Sequence, residues 1–211
     1  MKKLVTMTAA VVALVAASPV WALKIGDKIP NLNIQLVSVD GKTTTVDAVK
    51  GTQGTLVFFT CNHCPYSKAW EARYTKFGNE LLKKGFGVIA INSNDVSKAK
   101  EDSLPLMGDK SKRLGMRFAY VADQTSDVAR AFGAQRTPEF FLFDKEGSLI
   151  YTGAFDDNAE HPAKVRDQYL SKAVKAYSKN KPIQVAETRS VGCSIKFRSS
   201  AANRTKKKDV Y

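Results

Sequence analysis

The 211-residue chain holds only three cysteines and two histidines. Small secreted domains that lean on disulfides need several bridges. Three cysteines cannot supply such a scaffold, and a chain of this length buries a core without one. After the first two dozen residues, no stretch approaches the ~20 consecutive apolar residues that span a bilayer. Acidic residues are also short, 20 against 33 lysines and arginines, for a formal charge of +13. Such a balance suits contact with nucleic acid or anionic membranes. The lysines are scattered, however, and no nucleic-acid-binding module is visible. The densest basic run, Arg204 to Lys208, lies past the last apolar stretch and reads as a solvated end. No internal repeat or second domain is present.

What is there begins with Met1-Lys2-Lys3, then an uncharged Leu4–Ala17 rich in Ala, Val, Leu and Met, then Val20-Trp21-Ala22. This is the layout of a secretory signal peptide cleaved after a small residue, here Ala22. The competing reading is a retained anchor. The expected organisation is a signal peptide over 1–22, one domain over 23–197 and a basic flexible tail over 198–211. The expected location is periplasmic or secreted, without stable membrane insertion after cleavage.

Within the domain, Leu32 to Val39 alternates apolar and polar residues. Asp40-Gly41 predicts a hairpin turn, with a return strand after it. The continuous apolar runs 55–59 and 87–92 predict strands buried on both faces. Between them Trp70, Tyr74, Phe77 and Leu81 recur at helical spacing, and Gly85 marks the end. Strand, helix and strand imply a right-handed parallel crossover. Residues 97–115 are helix-compatible with a break at Pro105. A strand over 117–121, a helix over 126–132, strands over 138–144 and 148–155 and a helix over 163–179 complete the pattern.

The chemistry concentrates in Phe59-Thr60-Cys61-Asn62-His63-Cys64-Pro65. The motif sits where a buried strand gives way to a helix. A helix N-terminus offers unpaired N–H groups and partial positive charge, which favour a thiolate. Cys61 is expected at the cap end as the exposed, attacking sulfur. Cys64, one turn in, is expected as the buried resolving thiol. His63 donates to a thiolate or adds charge, and so tunes the potential. No carboxylate lies between Gly51 and Cys64 to accept a proton. Far downstream, Thr137-Pro138 opens a buried strand, where proline cannot donate to the ladder. A cis peptide facing the cysteines accounts for it, with Thr137 and Pro138 seating a substrate backbone.

Taken together, the layout resembles the thioredoxin superfold. It is closer still to the secreted redoxin proteins grouped with the alkyl-hydroperoxide-reductase and thiol-specific-antioxidant set. The matching phrases are CNHCP, AINSND (90–95), EDS (101–103), VARAFGAQRTPEFFLFD (128–144), YTGAFDD (151–157) and VGCSIKF (191–197). The resemblance implies an α/β thioredoxin-like fold: a central mixed sheet flanked by helices, with an N-terminal β-hairpin extension. It does not fix the substrate. Peroxiredoxins carry a Pro-x-x-x-Thr-x-x-Cys signature. With their reactive cysteine on Cys64, the threonine falls on Cys61 and the proline on Val57. That departure favours thiol–disulfide exchange with partner proteins over peroxide reduction, with no cofactor required. Copper or zinc binding by the thiols and His63 is a further alternative, although the remaining histidine, His161, stands apart beside Pro162. An inert structural disulfide is the last. Cys193, the odd cysteine, reads as a small buried hydrophobe, as an auxiliary thiol close to the pair, with Gly192 permitting close backbone approach, or as a site of intermolecular pairing.

Overall fold

The computed structural model of the protein describes residues 22–30 and 33–199. The expected signal segment and basic tail lie outside the described residues, save Ala22, Arg198 and Ser199. Among the described residues no helix is long and apolar enough to cross a membrane.

The first hairpin is short, β1 (Leu36–Ser38) and β2 (Thr43–Thr44). The buried run forms β3 (Gly54–Phe59), followed by α1 (Pro65–Lys83) and β4 (Phe86–Asn92). Next come α2 (Leu104–Leu114), β5 (Ala119–Ala122) and α3 (Asp127–Phe132). The two-residue β6 (Arg136–Thr137) precedes β7 (Glu139–Phe143) and β8 (Leu149–Gly153). The last elements are α4 (Tyr169–Tyr177) and β9 (Cys193–Ser194). Seven strands join in the order β2-β1-β5-β4-β3-β7-β8. β3, β4 and β5 run parallel, and every other pairing is antiparallel. This is the expected thioredoxin-like mixed sheet. The hairpin is not an appendage, because β1 pairs with β5 and extends that sheet.

Two expected boundaries move for physical reasons. Pro105 does not break a helix but sits in the first turn of α2, where its missing N–H costs nothing. The last helix starts at Tyr169, since residues 162–164 form only a 3₁₀ turn after His161.

Alternation along β3 explains why its apolar run is unbroken. Leu56 and Phe58 face a cluster with Trp70, Tyr74, Leu81, Phe140 and Leu170. Val57 and Phe59 face the opposite side, with Ile91, Val121, Phe132 and Phe141. Phe58 stacks on Phe140 at 5.2 Å and Phe59 meets Phe132 edge-on at 5.4 Å. Each such ring contributes about 1.5–3 kcal/mol on burial. The C-terminal end of β3 is thereby fixed, and with it the chain that turns into the cysteine motif.

Candidate active site

Cys61 lies two residues past the end of β3, after Thr60, and Cys64 is the N-cap residue of α1, with Pro65 in the first turn. Proline there is preorganised for a helix start. The expectation that Cys61 occupies the cap end as the exposed sulfur is not met. Cys64 takes the cap, and both cysteines are 0% exposed. β3, which leads into the motif, runs between two apolar clusters, so the loop residues Thr60 and Cys61 stay enclosed. Cys193 is the one of the three cysteines with surface to solvent.

The Thr137–Pro138 peptide is cis, as expected, and Thr137 meets both sulfurs. Its Oγ1 lies 3.2 Å from Cys61 Sγ, and its carbonyl oxygen accepts from Cys64 Sγ at 3.0 Å. Ser67 Oγ lies 3.9 Å from Cys61 Sγ. The backbone edge expected to receive a substrate is already occupied. β9 pairs antiparallel with β6, with Thr137 opposite Cys193.

The thiols ionise unequally. The hydrogen bond from Cys61 is the largest influence on Cys64, which is lowered to about 4 against the opposition of burial. The Cys193 thiol and the backbone N–H groups of Ser67 and Cys193 add to the lowering. The Thr137 carbonyl pulls the other way, because it accepts a bond only from the protonated thiol. The lowering influences and the place of Cys64 at a helix cap outweigh burial and favour the thiolate. Cys61 is raised far above an ordinary thiol, first because its proton is shared with Cys64, then by burial and the negative charge of Asp102. Cys193 is raised to about 11 by burial and by its bond to Cys64.

Sequence reasoning missed the carboxylate. None precedes the motif, but Asp102 enters from the turn before α2, fully buried. It accepts Asn62 N–H at 2.6 Å, His63 Nδ1 at 2.8 Å and Asn94 Nδ2 at 2.8 Å. His63 therefore pairs with Asp102, which offsets any positive charge it would lend a thiolate. Lys110 was missed as well. It is buried, donates to the Cys61 carbonyl at 2.9 Å and lies 3.3 Å from Glu71. The signal was present in the phrases EDS and AINSND, which hold Asp102 and Asn94. Cys61, His63 and Asp102 bring potential metal-ligand atoms within 4.8 Å of one another. Both Asp102 oxygens are engaged in the bonds above, so this carboxylate reads as an organiser of the motif loop.

Comparison with known proteins places these features in context. A family model described as Redoxin matches residues 24–170. An uncharacterized conserved protein from Geobacillus kaustophilus is 33% identical, with a TM-score of 0.78 over 84% of this chain and 94% of its own. A hypothetical protein from Sinorhizobium meliloti is also 33% identical, with a TM-score of 0.76 over 85% and 97%. A thioredoxin-like protein solved in its oxidized form shares the fold at 18% identity, with a TM-score of 0.61 over 75% and 99%. No curated protein matches the chain.

Proposed function

The chain belongs to the redoxin family, and from that premise we propose that it is a thiol–disulfide oxidoreductase whose Cys61–Cys64 pair exchanges disulfides with partner proteins. The observation that carries this reading is the seating of both sulfurs on Thr137, with Cys64 at a helix cap where its surroundings lower its pKa to about 4. A thiolate is the attacking species in exchange and a low-pKa sulfur is the better leaving group. The order of roles expected from sequence is thereby exchanged: Cys64 is the reactive thiolate and Cys61 its proton-sharing partner. Thr137 and Pro138 position the sulfurs. Through Asp102, His63 sets the shape of the motif loop. The chemistry needs no metal or cofactor. An export signal would place the protein in an oxidising compartment, where protein thiols and disulfides are the available substrates.

Peroxide reduction is the second reading. One observation favours it: the low-pKa sulfur is Cys64, the cysteine that aligns with the peroxiredoxin nucleophile. Redox titration of the full chain in glutathione buffers, with acid quenching and peptide mapping, tests the proposal. A Cys61–Cys64 disulfide that forms and breaks reversibly is expected. Failure of that disulfide to form at any glutathione ratio, together with rapid consumption of hydrogen peroxide, would overturn exchange in favour of peroxidase chemistry.

A further inference from the structure

We propose that Cys193 is the outlet sulfur of a three-thiol relay, accepting the disulfide from the buried pair as a Cys64–Cys193 bond and presenting it to the partner. This rests on the thiol–disulfide reading above. Access supplies the first argument. Exchange requires near-linear approach of one sulfur to another, and Cys61 and Cys64 are both sealed from solvent. Cys193 is only partly covered.

Placement supplies the second. β9 lies antiparallel along β6 with Cys193 opposite Thr137, on the backbone edge beside Pro138. An incoming chain would pair at that edge. The protein's own segment fills it, and puts a cysteine where a partner's cysteine would come to rest. Thr137 links the two cysteines in that position: its carbonyl accepts from Cys64 Sγ at 3.0 Å and its Oγ1 lies 3.5 Å from the Cys193 carbonyl oxygen. The approach is built for closeness, since a Cβ on Gly192 would fall 2.2 Å from the Thr137 carbonyl oxygen.

The segment is also anchored. Ile195 N–H donates to Gln135 O at 3.0 Å, and Lys196 O accepts from Asp95 N–H at 2.7 Å. Lys196 N–H donates to Asn94 Oδ1 at 2.7 Å. Ile195 is buried in the second apolar cluster. Arg136 and Lys196 lend positive charge to Cys193, which helps it ionise during exchange.

The chemistry balances. Starting from the Cys61–Cys64 disulfide, the Cys193 thiolate attacks Cys64 Sγ. The Cys64–Cys193 bond forms and Cys61 leaves, taking a proton. A partner thiolate then attacks the accessible Cys193 sulfur and expels Cys64 as its stabilised thiolate, a good leaving group. A second partner thiol attacks the partner sulfur of the mixed disulfide and releases Cys193 as a thiol. One protein disulfide becomes two thiols, and two partner thiols become one disulfide. The same steps in reverse, fed by a partner disulfide, reoxidise the protein.

The full chain carrying Cys61→Ser, equilibrated in glutathione buffer, quenched in acid, alkylated and mapped by mass spectrometry, tests the relay. A Cys64–Cys193 disulfide is expected as the principal product. In a Cys193→Ser chain the Cys61–Cys64 disulfide should still form, while its exchange with a synthetic dithiol peptide slows about ten-fold or more for want of an accessible sulfur. Glutathione on Cys64 with Cys193 still open to alkylation would overturn the proposal, as would exchange at the wild-type rate in Cys193→Ser. Mapping of the unsubstituted chain guards against a variant that misfolds: a small Cys64–Cys193 fraction beside Cys61–Cys64 supports the relay, and its complete absence sinks it. If no Cys61–Cys64 disulfide forms at any glutathione ratio, the oxidoreductase reading itself fails, which is a separate result.

Discussion

Cys61→Ala removes the donor that most stabilises the Cys64 thiolate, and so tests which sulfur holds the charge. A hydrogen bond to a charged group contributes about 1.5–3 kcal/mol and one pKa unit corresponds to about 1.36 kcal/mol, so Cys64 should rise by about one to two units. Cys61→Ser keeps a donor at that place and should raise it less. The assay is the rate of Cys64 alkylation by iodoacetamide between about pH 3.5 and 9, on the reduced chain, followed peptide by peptide (a range that brackets a lowered and an ordinary thiol). In the unsubstituted chain Cys64 should alkylate with a midpoint near 4, well before Cys61. The same asymmetry sets a pH dependence of stability. A thiol whose pKa is lowered on folding stabilises the reduced protein fully above the unfolded value of about 8.5, and that contribution is lost as pH falls through the folded value. Cys61 and Cys193 are raised, so their effect has the opposite sign and weakens the reduced fold as pH climbs past about 8.5. An unchanged Cys64 midpoint in Cys61→Ala, or early alkylation of Cys61 in the unsubstituted chain, refutes the assignment.

Two further predictions concern the supports of the site. Asp102→Ala strips the acceptor from Asn62 N–H, His63 and Asn94, and should cost about 2–5 kcal/mol in urea unfolding because buried donors are left unpaired. In the same variant Cys61 should titrate lower, since a negative charge that raises it is gone. Gly192→Ala drives a methyl group to 2.2 Å from the Thr137 carbonyl oxygen. Loosening β9 by about 1.4 kcal/mol would speed Cys193 alkylation about ten-fold by local opening while the midpoint of global unfolding moves little.

The fold was legible because its signals were local or periodic. An unbroken apolar run at 55–59 means a strand covered on both faces, and Phe58 and Phe59 do point into opposite clusters. The spacing of Trp70, Tyr74, Phe77 and Leu81 marks the inner face of α1; Trp70, Tyr74 and Leu81 are buried, and Phe77 packs partly covered against the same cluster. Thr137-Pro138 was legible as a cis bond facing the cysteines because proline cannot donate to a ladder, so its place at the head of a buried strand calls for a special backbone geometry. The order of the two sulfurs was not legible. A Cys-x-x-Cys spacing says that one cysteine begins a helix but not which, and the cap fell on Cys64. Asp102 and Lys110 were hidden for a different reason. Each lies dozens of residues from the motif, and only the packing of α2 against the sheet delivers them. Cys193 was flagged by its oddness, yet its pairing opposite Thr137 depends on a two-residue strand too short to announce itself.

The meeting of β9 with β6 also sets a timetable. Cys61 and Cys64 leave the ribosome well over a hundred residues before Cys193 does. Until the later segment arrives, the edge beside Pro138 has no internal strand, and the lowering of the Cys64 pKa by Cys193 is missing. Contacts of such long sequence separation form late in folding. A nascent chain would therefore carry two front cysteines with a different acidity and an open edge. The finished redox site would exist only once its last strand has closed over it, which couples the chemistry of the thiols to completion of the chain.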